Sequence, residues 1–185
     1  MEELLVFKSK NGNEKAFEAL FRIWNPKVFG FAYQFTHDKE AAREITQETW
    51  LGVIKNFKKL KQESLFPIWI YRITQKKAAD WMRQKYKHKH EEEEKLEVQQ
   101  TTIIPAETVE SHENILTHIR SEIAKMSANH RVILTLFYLE NYDMEEISVI
   151  LEIPKGTVKS RLHFAREKLK EVIKTNKKYQ DEILR

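Results

Sequence analysis

The sequence predicts an all-α protein of two small helical domains joined by a flexible acidic linker. Glycine and proline number only four each in 185 residues, and apolar residues recur with helical period almost throughout. Charge is segregated: residues 1–85 carry a net +6, residues 86–113 a net −5 and residues 114–185 a net +3. We divide the chain into a first domain at 10–87, a linker at 88–112, a second domain at 113–174 and a polar tail at 175–185. Cysteine is absent, which excludes a disulfide framework and thiolate metal sites. No apolar run approaches the roughly 18 residues that span a bilayer. The opening MEELLVFKSK is too acidic, and too poor in apolar residues, for a signal peptide. A soluble cytoplasmic protein with no membrane insertion is expected.

Ala16 to Thr36 reads as an amphipathic helix with Phe17, Leu20, Phe21, Val28, Phe31 and Phe35 inward, and Pro26 marks where it would kink or split. Asp38 caps a second helix, Lys39 to Lys58, whose apolar positions include Ala42, Ile45, Thr49, Val53 and Phe57. Lys58 to Leu65 reads as a polar loop. Pro67 opens a third helix running to Lys87, with Trp69, Ile70, Ile73 and Trp81 buried. The linker HEEEEKLEVQQTTIIPAE is charged, repetitive and broken by Pro105. His88 and His90 beside its four glutamates form a solvated charge run rather than a metal site. In the second domain Ile115, Ile119 and Ile123 share a helix face. Ser127 can cap the next helix, which carries Val132, Ile133, Leu136 and Phe137.

The most telling stretch is DMEEISVILEIPKGTVKSRLHFAREKL, Asp143 to Leu169. Asp143 with Glu146 forms a capping box, and Ile147, Ile150 and Leu151 make an apolar stripe. Pro154 ends one helix and suits the start of another. Val158, Leu162, Ala165 and Leu169 then face a core. The opposite face carries Thr157, Ser160, His163, Phe164 and Glu167, flanked by Lys159, Arg161 and Arg166. In a helix-turn-helix the second helix enters the major groove, basic flanks meet phosphates and groove-facing side chains meet base edges. A plain amphipathic helix pair with a solvated charged face would share the spacing.

The first domain carries two further patterns. Glu44, Gln47 and Glu48 share one face of the second helix, opposite its apolar positions, and could dock a basic partner. The third helix, FPIWIYRITQKKAADWMRQKYK, interleaves aromatics with Arg72, Lys76, Lys77, Arg83, Lys85 and Lys87. Aromatic faces beside a basic track hold single-stranded nucleic acid. Trp69 and Trp81 read as core, whereas Tyr71 lies nearer the polar face and is the better surface candidate.

In this order the segments resemble the extracytoplasmic-function sigma factors of the sigma-70 family of bacterial RNA polymerase, over about residues 10–172. ITQETW at Ile45–Trp50 looks like the family's motif for the core-polymerase clamp helices, and FPIWIYRITQKKAADWMR is similar to its promoter-melting helix. MSANHRVILTLFYLENYDMEEISVILEIPKGTVKSRLHFAREKL is similar to its fourth region, where GTVKSRL followed by Ala165–Arg166 is specific. The resemblance implies that Glu44, Gln47 and Glu48 contact the clamp and that the loop from Lys61 to Phe66 captures a flipped non-template base. It implies that Tyr71, Lys76, Lys77 and Arg83 track the minus-ten strand. Thr157, Lys159, Ser160, Arg161, His163 and Phe164 would meet the minus-thirty-five element, and the acidic linker would thread the RNA exit channel. The implied partners are core RNA polymerase, promoter DNA and an anti-sigma factor, with a monomer when free, no cofactor or metal and no catalytic residue. Four positions depart from the family's habit: Arg43–Glu44 for an acidic pair, Lys76 for Asn, Met126–Ser127 for Leu-Pro, and Phe164 for Arg. Two other readings remain open on the residues: an autonomous helix-turn-helix regulator that binds a palindrome as a dimer, and a helical adaptor that binds only protein.

Overall fold

The computed structural model describes residues 2–93 and 113–175, with side chains described within 2–85 and 119–171. The remainder of the connector, the tail beyond 175 and the side chains of His88, His90 and Ile115 lie outside the described residues. Among the described residues the regular elements are helices: α1 (Glu2–Lys10), α2 (Glu14–Thr36), α3 (Lys39–Asn56), α4 (Phe66–Glu93), α5 (Glu113–Lys125), α6 (Ala128–Leu134), α7 (Met144–Leu151) and α8 (Lys155–Thr175). Single 3-10 turns at Phe57–Lys59 and Glu63–Leu65 occupy the two ends of the stretch expected as a polar loop.

Local chemistry sets most boundaries. Asn13 caps α2 by accepting from the Ala16 N–H at 2.9 Å, after Gly12 reverses the chain at φ 86°. Asp38 caps α3, accepting from Glu40 N at 2.8 Å and Ala41 N at 3.2 Å. α2 runs unbroken through Pro26, which costs a helix interior about 3 kcal/mol. Trp24 and Val28 on either side of the proline are both buried, and that packing holds the helix together. α1 is an element that the sequence reading did not include. Val6 is fully buried, and the Lys10 ammonium donates to the Leu60 carbonyl at 2.6 Å and to Glu63 at 3.0 Å, tying α1 to the loop before α4. That ammonium also holds the Glu63 carboxyl below its usual range.

The helices α1–α4 pack around Leu20, Trp24, Phe31, Phe57, Phe66 and Ile70, and α5–α8 around Val132, Ile133, Leu136, Ile147, Val158 and Leu162. The two halves share one continuous apolar cluster. Tyr142, just before α7, sets its ring edge-on to Tyr71 at 5.7 Å. Arg131 of α6 is buried and donates from Nε to the Gln34 carbonyl at 2.9 Å, and from Nη1 to the Met126 carbonyl. Its charge thereby lies at the C-terminal, negative end of the α2 dipole. Burial and this guanidinium lower the pKa of His37 below that of an ordinary histidine. Lys27–Glu140 at 3.2 Å and Arg72–Glu152 at 2.5 Å rim the contact.

The structure corrects several placements. Tyr71, expected at the surface, is fully buried against Trp24, Phe31 and Tyr142, because it lies between α2 of its own domain and the second domain. Phe66 is likewise fully buried, with Trp24 edge-on at 5.6 Å, so it anchors α4 rather than facing out. Trp69, Ile73 and Trp81 are half-buried rather than core, and Phe21 is exposed. Ser127 occupies the position before α6 without capping the backbone; its hydroxyl lies 2.9 Å from His130 Nδ1 instead.

Three outcomes are expected. Asp143 accepts from Glu145 N and Glu146 N while Glu146 accepts from Asp143 N at 2.9 Å, so Asp143→Ala should lower stability by about 1–2 kcal/mol in urea melts. At the domain contact, Tyr142→Ala should weaken closure by about 2 kcal/mol or more. Glu152→Asn, which tolerates the left-handed turn at φ 54°, should weaken it by no more than about 1 kcal/mol. Energy transfer between labels at Lys55→Cys and Lys170→Cys, in a chain with no natural cysteine, reads closure directly. A larger loss from Glu152→Asn would mean that the contact is ionic rather than apolar.

Candidate nucleic-acid interface

The helix pair α7–α8 is built by its turn. Glu152 takes the left-handed conformation at φ 54° and its N–H returns to the Ser148 carbonyl, closing α7. The Ser148 hydroxyl donates to the Ile153 carbonyl at 2.6 Å, and the Pro154 carbonyl accepts the first α8 bonds from Thr157 N and Val158 N. Val158, Leu162 and Ala165 are buried against Ile147, Ile150 and Leu151, as the periodicity requires. Lys159, Ser160, His163 and Phe164 therefore point to solvent, with Thr157 and Arg161 half-exposed beside them.

Not all of that face is free. Arg161 donates to Asn129 Oδ1 at 3.2 Å, and Phe164 stacks on His130 with ring centroids 4.7 Å apart. Arg166 donates to the Tyr138 hydroxyl at 2.6 Å and lies over the Phe137 ring. The partners Asn129, His130 and Tyr138 were not singled out in the sequence, because each acts across 28 to 34 residues and no spacing rule links them.

In the first domain, the basic face of α4 divides. Lys76 and Arg83 are exposed, Arg83 in a turn-local pair with Asp80 at 3.0 Å. Lys77 leans across to Glu48 of α3 at 2.8 Å, which joins a candidate nucleic-acid residue to a candidate protein-docking residue. Arg72 is engaged by Glu152 of the other domain. Lys61 is exposed beside Leu65, an exposed apolar side chain in the same loop. The buried Tyr71 phenol has no hydrogen bond of good geometry, and burial with the nearby Glu140 charge pushes its ionisation far up, so it stays neutral.

Glu44, Gln47 and Glu48 all lie exposed on α3. Leu51 (53 % exposed) and Ile54 (60 %) continue that face at steps of four and three from Gln47, a spacing legible in the sequence. With Phe21, Asn25, Phe29 and Trp50 they line a hollow of about 410 Å³. It adjoins a wider groove of about 850 Å³ that shares Phe21 and Ile54 and continues to Phe17 and Phe57. A polar rim beside an exposed apolar strip is the composition of a protein-docking surface. No helix among the described residues is long and apolar enough to cross a membrane.

Residues 20–88 match the family model for sigma-70 region 2, and residues 117–169 match that for sigma-70 region 4. The chain is 27 % identical to the extracytoplasmic-function RNA polymerase sigma factor SigW of Bacillus subtilis, covering 89 % of this chain and 92 % of that one. It is 24 % identical to the RNA polymerase sigma-H factor of Pseudomonas aeruginosa, covering 90 % of each. In fold it is similar to the sigma factor RpoE solved with the anti-sigma factor NepR from Bartonella quintana, with a TM-score of 0.69 at 20 % identity over 88 % of this chain and 99 % of that one. With region 2 on α2–α4 and region 4 on α5–α8, in that order, the chain belongs to the extracytoplasmic-function sigma factors of the sigma-70 family, which are transcription initiation factors.

Proposed function

We propose that this chain docks on bacterial core RNA polymerase in the cytoplasm, directs it to specific promoters and drives local melting, while the polymerase carries out the phosphoryl transfer. The observation that carries the reading is the outward face of α8, where Lys159, Ser160, His163 and Phe164 stand clear of the core on the second helix of a capped helix-turn-helix. The α3 face of Glu44, Gln47 and Glu48, with its apolar extension, is the surface for the polymerase clamp. Lys61, Lys76, Lys77 and Arg83 form the track for the melted minus-ten strand, with Tyr71 and Phe66 supporting that helix from within.

Domain closure bears on this function. Two promoter elements some 25 base pairs apart are separated by roughly 85 Å at 3.4 Å per pair. A closed globule of this length is about 40 Å across, so closure keeps both elements from being read together. Docking on polymerase would hold the domains apart and convert two weak contacts into one strong one through effective concentration. In the free monomer Arg72 stays paired with Glu152. An anti-sigma factor that favours the closed form would hold the protein silent; the similar sigma factor RpoE was solved with an anti-sigma factor.

Run-off transcription with core polymerase across a randomised promoter library tests the reading. Protein-dependent initiation from a shared upstream element is expected. Specific duplex retention by the chain alone, with no activation of any core, would favour the autonomous regulator. Affinity with no dependence on salt would favour the protein adaptor. Glu44→Lys and Leu51→Asp should each lower core affinity at least about tenfold by competition binding and leave duplex selection by α8 unchanged. His163→Ala should change preference at one or two upstream positions with core affinity unchanged; an equal loss on every promoter would remove His163 from the base-reading set.

A further inference from the structure

Phe164 is half exposed on the outward face of α8, at 50 %. An unsupported ring there would sample several rotamers, and fixing one on binding would cost affinity. The ring is supported. His130, in the first turn of α6, stacks on it with centroids 4.7 Å apart and planes 24° from parallel. His130 is itself oriented, its Nδ1 lying 2.9 Å from the Ser127 hydroxyl, while the Ser127 carbonyl accepts from the His130 N–H at 3.0 Å. The Lys168 ammonium, one turn along α8, lies 5.9 Å from the centre of the same ring. Burial, with Arg161 and Lys168 nearby, lowers the pKa of His130, so at neutral pH the ring is uncharged and adds no repulsion to that basic corner.

The same turn of α6 restrains a second side chain of the face, since Asn129 accepts from Arg161 at 3.2 Å. Neighbouring residues of α6 thus hold neighbouring turns of α8. What the held ring can recognise follows from its chemistry. A phenyl edge offers no hydrogen-bond donor or acceptor, so it cannot read the acceptor pair of guanine or the amino group of adenine or cytosine. It can pack on the one apolar group of the major groove, the thymine C5-methyl.

We propose that His130 is a positioning residue for promoter readout, holding the Phe164 ring where it packs on a thymine methyl of the upstream duplex. The proposal rests on reading α8 as the recognition helix, and adds the base it selects and the residue outside α8 that sets the selection.

The test uses the full chain with core polymerase and promoter duplexes recovered from a randomised library, with each upstream thymine replaced in turn by deoxyuridine, which lacks only the methyl. One or two positions should lose about three- to tenfold in affinity on removal of the methyl. Phe164→Ala should abolish that ratio at the same position. His130→Ala should reduce it to less than about twofold, and His130→Tyr, which can still stack, should restore it. Because the readout is a ratio between two duplexes, a general loss of stability leaves it unmoved, and the tyrosine variant covers misfolding of the alanine one. A ratio unchanged in His130→Ala, or a wild-type chain indifferent to every methyl while still selecting promoters, would overturn the proposal and spare the recognition-helix reading. No promoter selection by the holoenzyme at all would overturn both.

Discussion

Tyr71 is the side chain on which the two halves of this protein meet. Trp24 and Phe31 of α2 hold its ring at 5.6 and 4.7 Å, and Tyr142 reaches it from the second half at 5.7 Å. Edge-on aromatic contacts of this kind add about 0.5–1.5 kcal/mol each beyond the area they bury. They make one apolar cluster of what the chain order presents as two domains. The polar links around it are of unequal weight. The Arg131 guanidinium is buried and spends its donors on main-chain carbonyls of both halves, so separating the domains exchanges the bond to Gln34 for one to water. Arg72–Glu152 is a solvent-accessible pair that steers the contact more than it strengthens it, whereas Lys27–Glu140 neutralises a largely covered carboxylate.

Several charged groups of the candidate surfaces are engaged within the chain itself. Arg72 stands in the basic series of α4 and is engaged by Glu152, which is also the left-handed residue that closes α7. The residue that closes α7 therefore also engages the basic face of α4 in the other domain. Lys77 is shared in the same way between the basic face of α4 and the acidic face of α3, through Glu48.

Much of the architecture was legible because its causes are local. The Asp143–Glu146 box and the Asp38 cap act over two or three residues, and both are made as the sequence implies. The burial of Val158, Leu162 and Ala165 follows from steps of three and four, and it fixes which side chains of α8 face outward. α1 is not legible in the sequence because nine residues carry too little periodicity to stand out, and what secures it is Lys10 reaching the loop some 50 residues away. Ser127 illustrates a different limit: its position before α6 was readable, but the competition between a backbone N–H and the His130 ring was not.

Sequence alone determined that this is a two-domain helical chain with a capped helix-turn-helix, a basic aromatic helix and an acidic face on α3, because caps, periodicity and charge segregation are properties of neighbouring residues. Tertiary structure alone decided which candidates are available. It buried Tyr71 and Phe66, tied Arg161 to Asn129 and Phe164 to His130, and left Lys159, Ser160 and His163 exposed. The physical reason is that a helical wheel assigns each residue a direction but not what lies in that direction. For Tyr71 the second domain lay there, and for Phe164 the first turn of α6, each brought in from more than 30 residues away.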